Sequence, residues 1–154
     1  MERISFSKLP AGVYESMTHV QNVIDNYGLD FKLLELMRMR VSQINGCAYC
    51  LDMHYKEAIH AGEEPLRLMS ISAWRETPYY SPTEQAVLAF AERLTKMPDG
   101  EHNDDIHDEL NKYFSKDDIA ILTLAVAQIN SWNRLVKSFG PVPGKYKVRI
   151  AESV

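Results

Sequence analysis

Two cysteines three residues apart, with a histidine four residues further on, form the densest group of redox-capable side chains in this sequence. They lie in Cys47-Ala48-Tyr49-Cys50-Leu51-Asp52-Met53-His54. At about 100° per residue on a helix, Cys47, Cys50 and His54 fall within roughly 60° of one another. That spacing brings the thiols within disulfide reach and sets an imidazole one turn from Cys50, where it can take a thiol proton. An unperturbed thiol, with a pKa of about 8.5, is only a few per cent thiolate at neutral pH. A basic neighbour or a helix N-terminus that lowers this value by more than about 1.5 units makes thiolate the major form. The two influences favour different cysteines. The helix dipole favours Cys47, just after Asn45-Gly46, and the histidine at i+4 favours Cys50, so spacing leaves the order open.

Glu35 is the candidate third group. It interrupts Lys32-Leu33-Leu34-Glu35-Leu36-Met37 among residues that should face a core, and a buried carboxylate needs partners. An imidazole on the next helix would be one, with Glu35 supporting His54 as a base. Arg38 and Arg40 are the ordinary ion-pair alternatives. Tyr49 reads as a packing residue at the mouth of such a site. Two other functions compete with thiol redox chemistry. Cys47, Cys50 and His54 could supply three zinc ligands, with Glu35 or water as the fourth, although structural zinc sites usually join separated chain segments. The chain could also be a non-catalytic helical protein.

The elements that must position these residues are helices. Val13, Met17, Val20 and Ile24 recur at helical spacing up to Asn26-Tyr27-Gly28. Asp30 can cap a second helix running to about Asn45, with Leu33, Leu34, Met37 and Val41 as its apolar stripe. A third is expected from Cys47 to Ala61, stopped by Gly62, and a short one from Pro65 to about Trp74. Ser81-Pro82-Thr83-Glu84 combines an N-cap, a first-turn proline and a capping-box glutamate. The helix it opens carries Val87, Phe90, Ala91, Leu94 and Met97 on one face and ends at Pro98-Asp99-Gly100. Ser115-Lys116-Asp117-Asp118 starts the longest helix, which runs to about Phe139. Residues 145–154 read as a loose tail; within them Tyr146-Lys147-Val148-Arg149-Ile150 is a lone strand-like pattern with no partner. The expected fold is all-α, a bundle of about seven helices forming a single domain over residues 1–154.

One internal echo bears on the site. Val41-Ser42-Gln43-Ile44-Asn45 returns as Val126-Ala127-Gln128-Ile129-Asn130, offset by 85 residues. The first copy leads into the cysteines, and the second into Ser131-Trp132-Asn133-Arg134 without a thiol. Trp132 stands where Cys47 stands in the first copy, which makes it a candidate wall of the same site.

Composition narrows the function classes. The 154 residues are 45% hydrophobic and 25% charged, ordinary for a globular chain and not for a disordered one. Seventeen Lys+Arg against 21 Asp+Glu give a net charge of −4, so nothing advertises a nucleic-acid partner. With Cys47 and Cys50 the only cysteines, a disulfide-stapled secreted scaffold is not indicated. The start Met1-Glu2-Arg3-Ile4-Ser5-Phe6 lacks a signal-peptide core, and the most apolar stretch, 119–129, is too short to span a bilayer. A cytoplasmic protein with no membrane partner is expected.

Glu35, both cysteines and His54 in this register, with the core match running from about Leu33 to Gly62, resemble the alkyl hydroperoxidase D-like (AhpD-like) branch of the carboxymuconolactone decarboxylase family. Chain length, the helical layout and Asn130-Ser131-Trp132-Asn133-Arg134 extend the resemblance over most of the chain. It implies a homo-oligomer, trimeric or hexameric, that reduces hydroperoxides through a disulfide cycle. By the same resemblance Cys50 is the attacking cysteine, Cys47 the resolving one, and His54 the base, with Glu35 behind it, directly or through a water. The partners implied are a small-molecule peroxide and an external dithiol reductant or lipoyl-type carrier, with no metal or other cofactor. Tyr49 departs from the founding pattern, which has a histidine between the cysteines. The decarboxylase branch lacks the cysteine pair, so lactone decarboxylation is the lesser inheritance.

Overall fold

The computed structural model describes residues 2–100 and 102–148. Among them there is no strand, and seven α-helices follow one another: α1 (Val13–Asp25), α2 (Phe31–Asn45), α3 (Ala48–His60), α4 (Pro65–Ser70), α5 (Pro82–Lys96), α6 (Asp104–Leu110) and α7 (Lys116–Phe139). Two short 3₁₀ segments, Phe6–Lys8 and Ile71–Glu76, complete the layout. The fold is all-α. No helix among the described residues is long and apolar enough to cross a membrane.

Helix α2 is the axis, because it buries more than one face. Leu34, Met37 and Val41 join Ile24, Val87, Phe90, Leu122 and Val126 in the main core. Leu36 and Met39 point the other way, into a second cluster with Leu68, Ile71, Trp74 and Leu88. A helix apolar on several sides has no solvent face for its charges, so each must find a partner inside. Arg40 therefore donates to Glu92 at 2.6 Å, and the Trp74 indole donates to the same carboxylate at 3.1 Å. Glu35 and Arg38 occupy the remaining face.

The ends of α2 follow local rules. Asp30 accepts from the Leu33 amide at the start. Gly46 closes the helix at φ 61°, a left-handed conformation. A β-carbon there would meet only Lys137 Nζ at 3.8 Å, so the cost of a side chain is conformational rather than steric. Gly46→Ala is expected to destabilise the fold by about 1 kcal/mol, read by urea denaturation. Ser115 caps α7 in the same way, accepting from the Asp118 amide. Asp30 and Ser115 are themselves 85 residues apart, as are the first residues of the helices they cap, so the sequence echo extends to whole elements. The matched residues also meet: the Asn45 amide donates to Asn130 Oδ1 at 2.9 Å. Where the first copy turns at Gly46, the second continues as helix through Ser131.

Several sequence expectations need correction. Helix α3 starts at Ala48, with Cys47 as its extended N-cap. The short helix from Pro65 passes into the 3₁₀ segment at Ile71, before Trp74. Helix α6 occupies a stretch between Gly100 and Ser115 to which no element was assigned from the sequence; its Ile106 and Leu110 supply the apolar contacts. Met97 leaves the apolar face of α5, being a left-handed C-cap at φ 43° and 76% exposed. Residues 145–148, read as the start of a loose tail, form neither helix nor strand but are fastened to α3. The Gly144 amide donates to Asp52 at 2.9 Å, and Lys56 Nζ donates to the Gly144 and Tyr146 carbonyls at 3.2 and 3.0 Å. Arg149 and Ile150 of the strand-like pattern lie outside the described residues, as do 151–154.

Candidate active site

The turn at Gly46 delivers the cysteines to the start of α3. Cys47 is the N-cap and its carbonyl accepts the first helical bond from Leu51 at 3.0 Å, which puts Cys50 in the first turn. The two are joined as a disulfide with Cα atoms 5.4 Å apart. Both residues are buried, but only Cys50 lines the cavity described below. His54, a turn beyond Cys50, is 5% exposed.

Glu35 reaches His54 directly, Oε2 to Nδ1 at 2.8 Å, with no bridging water required. Its other oxygen accepts from Arg38 Nη1 at 2.8 Å. Arg38 Nη2 continues the chain to Asp25 on α1 at 3.1 Å. Both partners considered from the sequence, the imidazole and an arginine, are thus present together. Burial pushes the Glu35 carboxyl up, but His54 and Arg38 outweigh it and hold the group below the usual carboxylate range. An ionised Glu35 can only accept, so Nδ1 of His54 carries the proton, and in that tautomer the lone pair lies at Nε2. Nε2 is buried and has no hydrogen-bond partner among the described residues, which leaves it free to exchange a proton with a Cys50 thiol.

The cavity beside Cys50 has a volume of ≈ 750 Å³. Glu35, Arg38, Cys50 and His54 form its buried floor, while Tyr49 and Trp132 are among its walls. Burial, followed by the charge of Asp52, pushes the Tyr49 phenol upward, so at neutral pH it is a protonated neutral group. Among the described residues no group of three or more His, Cys, Asp or Glu is arranged to hold a metal ion. Glu35, one of the two fourth zinc ligands considered from the sequence, is engaged by His54 and Arg38 instead.

The second copy of the echo braces the first. Asn45 Nδ2 donates to Asn133 Oδ1 at 2.8 Å as well as to Asn130, and Asn133 Nδ2 donates to Ser42 Oγ at 3.1 Å. Lys137 Nζ donates to the Asn45 carbonyl at 2.7 Å, satisfying an end of α2 directly before the cysteines. These supporting roles were not assigned from the sequence, although Asn130 to Arg134 had been singled out as a segment. Asn133 is fully buried, so Asn133→Ala takes the donor from the Ser42 hydroxyl and leaves the Asn45 amide with Asn130 alone. It is expected to cost about 2 kcal/mol in urea denaturation and to loosen the turn that carries Cys47.

A carboxymuconolactone decarboxylase family model matches residues 11–93, which hold α1 to α4, most of α5 and every residue of the floor. The chain belongs to the carboxymuconolactone decarboxylase family. It is 32% identical over 139 residues to the uncharacterized protein YdfG of Bacillus subtilis, covering 90% of this chain and 95% of that protein. A crystal structure of an Agrobacterium tumefaciens protein, described as a candidate antioxidant defence protein AhpD, superposes with a TM-score of 0.86 at 32% identity. That likeness covers 97% of this chain and 100% of the other. The alkyl hydroperoxide reductase AhpD of Coxiella burnetii is 40% identical over 57 residues, 37% of this chain and 29% of that one. The chain is an AhpD-like member of the decarboxylase family.

Proposed function

We propose that this AhpD-like protein is a thiol-dependent peroxidase that reduces hydroperoxides through a Cys50 sulfenic acid and a Cys47–Cys50 disulfide. The observation that carries this reading is the asymmetry of the pair: Cys50, not Cys47, lines the cavity beside a histidine whose Nε2 has no hydrogen-bond partner among the described residues. With both thiols reduced, His54 Nε2 takes the Cys50 proton and the thiolate attacks the distal peroxide oxygen. The O–O bond breaks, His54 returns the proton to the leaving alkoxide, and the products are an alcohol and Cys50 sulfenic acid. The Cys47 thiol then attacks the sulfenic sulfur, water leaves and the disulfide forms. An external dithiol, of lipoyl type or similar, restores both thiols and is itself oxidised to a disulfide. The sum is hydroperoxide plus dithiol giving alcohol, water and the cyclic or linear disulfide of the donor. No metal or other cofactor enters, and a reducing, cytoplasmic setting suits the cycle.

The test is peroxide consumption by the purified protein with dihydrolipoamide as donor. Sustained turnover that stops when the donor is withheld is expected. Reduced protein that leaves both peroxide and its own thiols unchanged would sink the proposal.

A further inference from the structure

The cavity is much larger than the smallest peroxide needs. Hydrogen peroxide is only a little larger than a water molecule, whose share of liquid volume is ~30 Å³, against ≈ 750 Å³ available. A volume of this size is typical of pockets that enclose a drug-sized ligand. Its walls suit an apolar body. Phe6, Tyr14 and Trp132 pack as a three-ring cluster with centroids 6.0 to 6.3 Å apart, Tyr14 edge to face with the other two, and Ile129 and Met53 add aliphatic surface.

The charges around this apolar wall are not balanced in the same way. Three carboxylates line the cavity, and each is engaged: Asp25 and Glu35 by Arg38, Glu35 also by His54, and Glu57 by the Tyr146 hydroxyl. Lys145 and Lys147 also line it, are exposed at its rim, and have no ion-pair partner among the described residues. The bonds from Asp52, Lys56 and Glu57 of α3 to residues 144–146 hold these lysines beside the opening. In a chain of net charge −4, two cations with no ion-pair partner among the described residues stand at the entrance to an aromatic pocket.

We propose that the cavity takes an amphipathic anion, a hydroperoxide of a long-chain carboxylic acid. Its carboxylate is held by Lys145 and Lys147, its apolar body lies on Phe6, Tyr14 and Trp132, and its peroxide group reaches Cys50. The reacting end of this inference rests on the peroxidase reading; the binding end does not. Two partly solvated charge contacts favour the acid over a neutral analogue by about tenfold together, an advantage that salt reduces.

The experiment compares kcat/KM for a hydroperoxide of oleic acid with that for its methyl ester, in wild type and in the Lys145→Gln/Lys147→Gln double variant. Oleate binding to both proteins is measured in parallel by titration calorimetry. The expected result is an acid-over-ester preference of about tenfold in wild type that shrinks toward one in the double variant and in high salt, with weaker oleate binding to that variant. Equal values for acid and ester in wild type, or a preference untouched by the double substitution, overturn the proposal while leaving peroxidase activity intact. Lysine-dependent oleate binding without turnover of either hydroperoxide supports the site and instead removes the peroxidase reading.

Discussion

Cys50→Ser is expected to reduce peroxide consumption by at least about a thousandfold, because a serine hydroxyl beside His54 is a far weaker nucleophile toward oxygen than a thiolate. The loss should appear in kcat/KM for every peroxide tested, and it should not be accompanied by unfolding, since serine is close to cysteine in size. Cys47→Ser behaves differently in this account. Its first turnover with peroxide proceeds, but without the resolving thiol the sulfenic acid accumulates, and turnover with a dithiol donor slows or stops. A Cys50→Ser protein that kept most of its peroxide consumption would place the attacking group elsewhere.

The second large effect belongs to Glu35. Glu35→Gln keeps the shape but removes the charge shared by His54 and Arg38, both buried. Loss of one partner from such a group costs about 3 kcal/mol, because a buried guanidinium is left with only the partly exposed Asp25. The rate of peroxide reduction is expected to fall at least about a hundredfold: the carboxamide has one acceptor oxygen for two donors, and with that oxygen on Arg38 its NH2 faces Nδ1 of His54 and no longer fixes the tautomer. The two effects separate by pH. The carboxyl of Glu35 is held below its ordinary value in the folded protein, so its stabilising contribution is complete above the unfolded value of about 4.3. That contribution is lost as pH falls through the folded value. The stability gap between wild type and Glu35→Gln should therefore be full near pH 7 and should close on acidification below about pH 4. Urea denaturation at several pH values measures it, and a gap independent of pH would mean that Glu35 is not the ionised centre of the cluster.

What could be read in the sequence was governed by local physics. Asp30, Ser81 and Ser115 announce helices through their own side chains, and each caps as its spacing indicated. The Cys47, Cys50 and His54 arrangement is likewise local, a matter of one helix and its first turn. Glu35 stood out because a charge in an apolar run needs an explanation, and its partners proved to be both of the kinds considered. What the sequence could not show depends on residues that are distant along the chain. Nothing near Asn45 indicates that its amide will meet Asn130 and Asn133, although the echo made α7 a natural place to look. Helix α6 is short and strongly acidic at its start, so its two apolar residues gave too weak a period to register. The segment 144–148 has no helical or strand pattern, and its order comes from Asp52, Lys56 and Glu57 on another element. The cavity draws on α1, α2, α3, α7 and that segment, and so was invisible until the helices were packed.

The order of the two cysteines is the central claim, and a sulfenic-acid trap tests it most directly. Reduced Cys47→Ser and Cys50→Ser proteins are each treated with one equivalent of hydroperoxide in the presence of dimedone, then mapped by mass spectrometry. The account predicts a dimedone adduct on Cys50 in the Cys47→Ser protein and none on Cys47 in the Cys50→Ser protein. An adduct on Cys47 with Cys50 unmodified in the reciprocal protein would contradict it and reverse the roles of the pair.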